Sequence, residues 1–278
     1  MPELPEVETT RAGIAPHIKG HKLKGLIVRQ PQLRWPIPND LPQLVTGLEV
    51  IDVRRRAKYL LLDMARNNQS PIIGSIIIHL GMSGSLRVLT TLPTPEPRKH
   101  EHFDLEFEHC TVRYNDPRRF GACFWQAAQE EDKRLAHLGP EPLSDVFNAE
   151  YLFAKSRKRT SSIKTFIMDQ KVVVGVGNIY ASESLFLSGI NPKKAAGKIS
   201  LKKYQELVSA IKVVLDNAIM QGGTTLRDFT SSDGKAGYFA QELRVYGREG
   251  LACVQCKATI KQITQGQRST FYCTKCQR

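Results

Sequence analysis

Behind Pro5, the residues Val7, Thr10, Ala12 and Ile14 recur at a spacing that predicts a short helix, ending before Gly20. From Leu26 to about Trp125 the periodicity changes. Leu26-Ile27-Val28, Leu60-Leu61-Leu62, Ile72 to Leu80 and Thr111 to Trp125 are apolar or β-branched runs separated by Pro, Gly and Asn, which reads as strands of a β-sandwich or barrel behind one helix. Pro93, Pro95 and Pro97 make Thr90 to Arg98 an exposed loop. Gly139-Pro140-Glu141-Pro142 has the composition of a link between domains. Beyond it, Tyr180, Leu185 and Leu187, then Leu207, Val208, Ile211, Val214, Leu215 and Ile219, fall at helical spacing, so the second half is expected to be mostly helical. The last 34 or so residues carry too few apolar side chains for a core of their own and read as a separate small unit.

Length and charge sharpen this outline. A chain of 278 residues has room for two domains without disulfide staples. With 41% hydrophobic residues and a mean hydropathy of -0.30, it contains no apolar run near the roughly 20 residues that cross a bilayer. Its acidic, proline-broken start lacks the basic and then apolar order of a secretory signal, so a cytoplasmic protein is expected. Forty Lys and Arg against 27 Asp and Glu leave a net charge of +13, which makes a polyanion the first partner to consider. A generally basic surface without a partner is the alternative.

Of the six cysteines, Cys110 and Cys123 stand alone and read as buried thiols. The others form Cys253-x2-Cys256, sixteen residues, Cys273-x2-Cys276, the spacing of two knuckles closing on one tetrahedral Zn²⁺. Four protein ligands leave no open position, so the metal is expected to be structural. A redox pair is the competing use, and neither Cys-x-x-Cys follows a βαβ pattern. Lys261, Arg268 and Lys275, with Phe271 and Tyr272, lie on the same stretch and suggest a β-hairpin finger offering cations to phosphates.

Pro2 would become a secondary amine if Met1 were removed. Such an amine has a pKa nearer 8 than the 10.4 of lysine, and its attack on a sugar C1′ gives a cationic iminium, an effective electron sink. The commoner use of proline here is simply to start a helix.

Read together, Pro2-Glu3-Leu4-Pro5-Glu6-Val7-Glu8, Arg54-Arg-Arg-Ala-Lys58, His79-Leu-Gly-Met82-Ser-Gly, Asn115-Asp-Pro-Arg118-Arg119-Phe120-Gly, Val176-Gly-Asn178-Ile-Tyr-Ala-Ser-Glu and the cysteine finger resemble the bacterial formamidopyrimidine-DNA glycosylases, in order and along the whole chain. The resemblance implies an α+β protein. Residues 1–133 would be a catalytic domain of one helix plus a β-sandwich, 134–150 a linker, 151–240 a helix-two-turn-helix DNA-binding domain and 244–278 a zinc finger. It implies a monomer acting on double-stranded DNA, excising oxidised purines (8-oxoguanine, formamidopyrimidines) and nicking abasic sites in base-excision repair.

The same resemblance assigns Pro2 as nucleophile, Glu3 as acid/base, Glu6 as its support, Lys58 as a proton donor in β-elimination and Arg268 as a residue on the δ-elimination side. Two carboxylates this close are expected to repel, an arrangement that suits a general acid. Without the resemblance, Lys58 and Arg268 are solvated charges. Met82, Arg118 and Phe120 match a wedge that fills the gap left by a flipped base, as against ordinary core residues. His79, His100, Arg159, Lys164 and Asn178 match phosphate-contacting positions, with a plain helix N-cap as the other reading of Asn178. Ser231 to Phe239 resembles a lesion-recognition loop, with Ala236 where many members have Pro.

Two alternatives stay open. A sister family for oxidised pyrimidines, the endonuclease VIII type, begins more typically with Gly where this chain has Leu4. A non-catalytic zinc-ribbon DNA-binding protein would share the charge and the cysteines.

Overall fold

The computed structural model describes residues 2–130, 132–222 and 243–278, so the Ser231 to Phe239 segment lies outside the described residues. These residues divide into two compact units, the boundary falling between Ala136 and His137.

In the first unit, helix α1 (Leu4–Ile18) starts with Pro5 in its first turn and ends as Lys19 leaves helical geometry. Strand β1 (Gly25–Val28) and a short helix α2 (Leu41–Val45) follow, then strands β2 (Glu49–Arg56), β3 (Tyr59–Ala65), β4 (Gly74–His79), β5 (Ser85–Leu89), β6 (Glu101–Glu106), β7 (Thr111–Asn115) and β8 (Ala122–Ala127). They form two antiparallel sheets, in the orders β1-β6-β7-β5 and β2-β3-β4-β8. One apolar cluster is shared by both. It takes Val7, Ile14 and Ile18 from α1, Leu60, Leu62, Ile76 and Ile78 from one sheet, and Leu86, Phe103, Leu105 and Val112 from the other. Each such side chain is worth roughly 1.5–3 kcal/mol when buried, so the helix is held by its apolar face.

The Thr111 to Trp125 run, read above as one β segment, is two strands in different sheets. Asp116 and Pro117 break it, and residues 116–121 carry the chain from one sheet to the other. The first sheet also contains charge. Arg113, 3% exposed at its side chain, bonds Asp104 at 2.7 Å and Glu101 at 3.2 Å. Burial pushes the Asp104 carboxyl up, but hydrogen bonds from Arg29 and Arg113 outweigh it and hold the group below the usual range.

The second unit contains α3 (Ala149–Ser156), α4 (Ile163–Ile167), α5 (Asn178–Leu187), a 3-10 turn at Ala196–Lys198, α6 (Leu201–Met220) and a hairpin of β9 (Lys261–Gln265) and β10 (Arg268–Tyr272). Asn148, Ser162 and Ser200 cap α3, α4 and α6 with side-chain oxygens. The finger does not stand apart as a separate unit. Phe186 of α5 packs into the same cluster as Val245, Cys253, Ile260 and Phe271, so the finger borrows its core from the helices. Glu183, 3% exposed, accepts the backbone N–H groups of Arg244, Val245 and Tyr246 at 2.9–3.0 Å and ties the entry to the finger onto α5.

Candidate active site and nucleic-acid interface

At the start of α1 the sequence builds a reciprocal capping box. The Glu3 side chain accepts the Glu6 backbone N–H, and the Glu3 N–H donates to Glu6 Oε2 at 2.8 Å. Both carboxylates are almost completely buried, at 1% and 3% exposure, directly after a buried Pro2. Two buried acids are costly unless bonded, and the helix N-terminus supplies the donors.

Lys58 sits in the two-residue turn between β2 and β3, where Arg56 pairs with Tyr59. Ala57, ahead of it, has φ +55°, a conformation that tight hairpins demand and that residues other than glycine rarely adopt. Arg55 steadies this turn by donating to the Ala57 carbonyl at 3.0 Å, and its other guanidine edge meets Glu8 of α1 at 2.9 Å. Glu8 is also held by Arg11 at 2.6 Å. Glu8 and Arg55 thus couple the hairpin of Lys58 to the helix of Glu3, a role the sequence reading missed. The only signal in the sequence was an acid one helical turn before Arg11.

His79 ends β4. Burial, with the nearby Lys58 and Arg34 charges, pulls its pKa down to about 4. The Gly81 N–H donates to Nδ1 at 3.0 Å, so the ring is neutral with its proton on Nε2. The unfolded chain takes up this proton near pH 6.5 and the folded chain only near 4. The stability from neutral His79 is therefore complete above 6.5 and lost as pH falls toward 4, by at most about 3 kcal/mol. Urea melts from pH 7 to pH 4 are expected to show this slope in the wild type and a flatter one in His79→Gln.

Met82 and Phe120 are exposed at 38% and 42%, each on a loop leaving a strand. The Arg118 guanidinium lies 4.8 Å from the Phe120 ring centre. These are not core residues. His100, half-buried at the end of the proline loop, has φ +73°.

In the second unit, a cavity of about 440 Å³ is lined by Arg159, Ser161, Lys164, Thr165, Gln265 and Arg268. Arg159 and Arg268 are exposed. Arg268 follows the hairpin tip, where Gly266 and Gln267 both have positive φ, as a two-residue type I′ turn requires. Lys164 is the position expected at a phosphate. It is 1% exposed, and its ammonium already donates to Asn178 Oδ1 at 2.6 Å, Thr270 Oγ1 at 2.8 Å and the Ser269 carbonyl at 3.0 Å. Such a side chain cannot offer itself to a phosphate without breaking a buried bond, so it cross-links α4, α5 and the finger. Asn178 differs from the simple-cap reading as well. Gly177 is the N-cap of α5, and the Asn178 amide donates to the Ser269 carbonyl at 3.0 Å. Phe271 and Tyr272 are buried, so the finger presents cations rather than aromatic faces.

The four finger cysteines suit zinc. Their sulfurs lie within 4.8 Å of one another, with Cys253 to Cys276 at 3.9 Å and Cys256 to Cys273 at 3.4 Å. Tetrahedral thiolates at the usual 2.3 Å Zn–S length stand about 3.8 Å apart. The Ala258 backbone N–H lowers the Cys256 pKa to about 7, whereas burial and neighbouring sulfurs raise that of Cys276. Four thiolates this close need a cation, and one structural Zn²⁺ held by Cys253, Cys256, Cys273 and Cys276 supplies it. It organises the finger and leaves no open position for chemistry.

A basic chain with two buried acids directly after Pro2 in one unit, and cations on a zinc hairpin in the other, fits the DNA glycosylases that carry their own zinc finger. Residues 1–123 match the formamidopyrimidine-DNA glycosylase N-terminal domain, 138–230 its H2TH domain and 250–278 the zinc finger found in FPG and IleRS. A formamidopyrimidine-DNA glycosylase of Stenotrophomonas maltophilia is 56% identical over all of both chains. Lactococcus lactis Fpg, solved with DNA containing an abasic site, superposes with a TM-score of 0.87 at 31% identity, covering 100% of each chain. A MutM complex with carbocyclic 8-oxo-G DNA gives 0.87 at 32%, also over 100% of each. The chain belongs to the formamidopyrimidine-DNA glycosylase family. It is a DNA glycosylase with AP lyase activity. Among the described residues no helix is long and apolar enough to cross a membrane.

Proposed function

We propose that this enzyme excises oxidised purines through an iminium formed at Pro2, working as a cytoplasmic monomer on the cell's double-stranded DNA. The observation that carries the reading is the buried Glu3 and Glu6 pair fixed by reciprocal hydrogen bonds one residue from Pro2. The free Pro2 nitrogen attacks C1′, the glycosidic bond breaks with its electron pair leaving on the base, and Glu3 protonates the sugar oxygen as the ring opens. Proton loss from C2′ of the iminium then expels the 3′ phosphate, and a second elimination expels the 5′ phosphate. Glu6 supports Glu3, Lys58 gives a proton in the first elimination and Arg268 serves the second. The relatives solved with abasic-site and 8-oxo-G DNA support this substrate class. Borohydride should trap the protein covalently on duplexes carrying 8-oxoguanine and less readily on thymine glycol. The reverse order would assign it the pyrimidine activity, and no trapping would remove the Pro2 iminium from the mechanism.

His79, His100, Arg159 and Asn178 contact the backbone in this reading, with Lys164 acting through Asn178. Because His79 is neutral, His79→Ala is expected to weaken binding without changing the salt dependence of the affinity. Arg159→Ala should reduce that slope by about 0.9. Titrations from low to physiological salt compare the two.

Met82, Arg118 and Phe120 fill the gap left by the extruded base. Phe120→Ala should cost far less stability than the roughly 3–5 kcal/mol of a buried phenylalanine, since 42% of the residue is exposed. Its penalty should fall on damaged duplex and shrink on a pre-formed abasic site. Thermal melts and paired excision assays check this, and equal losses on both substrates would remove Phe120 from the wedge.

A further inference from the structure

The loops of Met82 and of Arg118 and Phe120 leave different sheets, yet they share one buried anchor. Asp116 is 0% exposed, and two donors meet each of its carboxylate oxygens. Ser83 Oγ lies 2.6 Å and the Arg118 N–H 3.3 Å from Oδ1. The Gly121 N–H lies 2.8 Å and Tyr114 Oη 3.1 Å from Oδ2. The backbone of the same residue reaches two further segments. Its N–H donates to the His100 carbonyl at 2.9 Å, and its own carbonyl is met by His102 Nε2 at 2.7 Å.

The two loops are also pressed together. A Cβ on Gly81, which has φ +68°, would stand 2.5 Å from the Phe120 carbonyl carbon and the Gly121 nitrogen, and one on Gly121 would stand 1.7 Å from Tyr114 Oη. Ser83 follows Met82, and Gly121 follows Phe120. Each exposed apolar side chain is therefore one residue from a direct bond to Asp116, and Arg118 bonds it through its own N–H.

We infer that Asp116 is the positioning residue of the wedge, locking the Met82 loop and the Arg118-Phe120 loop into one rigid element. The inference rests on the wedge reading above. Displacing a stacked base needs side chains held against the strain of the helix they enter, and two loops moving independently would yield instead. A carboxylate accepting from both loops couples them at the base while leaving their tips exposed. Ser83 and Gly121 transmit the constraint.

The test uses the full-length zinc-loaded enzyme and compares excision from 8-oxoguanine duplexes, with each opposite base, against nicking of a pre-formed abasic site. Ser83→Ala deletes the bond to Asp116 and the one that Ser83 Oγ accepts from the Arg118 N–H at 3.3 Å, and is expected to lower duplex excision about tenfold, as loss of a hydrogen bond to a charged group would. Abasic nicking should stay within about twofold, and Ser83→Thr, which keeps the hydroxyl, should restore excision. Asp116→Asn places an amide where two donors converge, and should lose more and blur the opposite-base preference. If Asp116→Asn fails to fold, the Ser83→Ala, Met82→Ala and double-variant cycle decides. Serine acting through Met82 gives a double variant little worse than Met82→Ala, whereas additive losses would overturn the inference. Duplex-specific loss in Met82→Ala and Phe120→Ala, with none in Ser83→Ala, would refute the lock and keep the wedge. No duplex-specific loss in any variant would refute both.

Discussion

A chain that keeps Met1 is expected to release no damaged base and cut no strand, while binding lesion DNA within a few-fold of the processed protein. In the Met1-Pro2 peptide the proline nitrogen shares its electron pair with a carbonyl, so it is neither basic nor nucleophilic. Removing Met1 creates the amine, and an α-amino group ordinarily titrates near 8, well below lysine, so more of it is unprotonated at neutral pH. The capping box of Glu3 and Glu6 lies on the C-terminal side of this bond, so folding of α1 does not depend on the processing. The loss should therefore be chemical, at least about 10³-fold in both steps, as for removal of a covalent nucleophile. Pro2→Gly keeps a primary amine after processing and should retain partial nicking. Intact mass, borohydride trapping and product gels on one preparation provide the check. Full activity from protein shown by mass to retain Met1 would remove Pro2 from the mechanism.

How far the sequence alone reaches is clear from particular elements. Helix α1 was legible because Pro5 and the three-to-four spacing point the same way, and the zinc ligands because four cysteines at those intervals have few other uses. Strand β6 was not legible. Its Glu101 and Asp104 look like solvent-facing positions but are buried against Arg113, a pairing made by the sheet rather than by local sequence. The run from Thr111 to Trp125 hid a change of sheet because its flanks are apolar on both sides of Asp116. Lys164 matches a phosphate contact, and the burial it has was not legible because the Ser269 and Thr270 atoms that bond it lie 105 and 106 residues away along the chain. Exposure of Met82 and Phe120 was equally beyond local pattern. An apolar residue beside glycine reads the same in a core turn as at an exposed tip.

Removing the zinc is expected to cost far more than the finger itself. Its four ligands close both ends of the hairpin, and a segment this short with few apolar residues does not hold its shape without metal. Val245, Ile260 and Phe271 would leave the cluster they share with Phe186. Lys164 would keep Asn178 but lose Thr270 and Ser269, and each lost hydrogen bond to its ammonium costs about 1.5–3 kcal/mol. The damage should therefore spread to Asn178 and α4, and the cavity between Arg159 and Arg268 should lose its finger wall. Chelation or Cys256→Ser is expected to lower affinity for lesion duplex at least about 100-fold and to flatten its salt dependence by about one phosphate contact or more. Pro2 and Glu3 belong to the other unit, where the capping box of Glu3 and Glu6 stays intact. Arg268→Ala serves as the control, keeping the zinc and the hairpin while losing about one phosphate from the slope. Metal release followed colorimetrically alongside a binding titration makes the comparison, and near-normal affinity after demonstrated zinc loss would take the finger out of the binding surface.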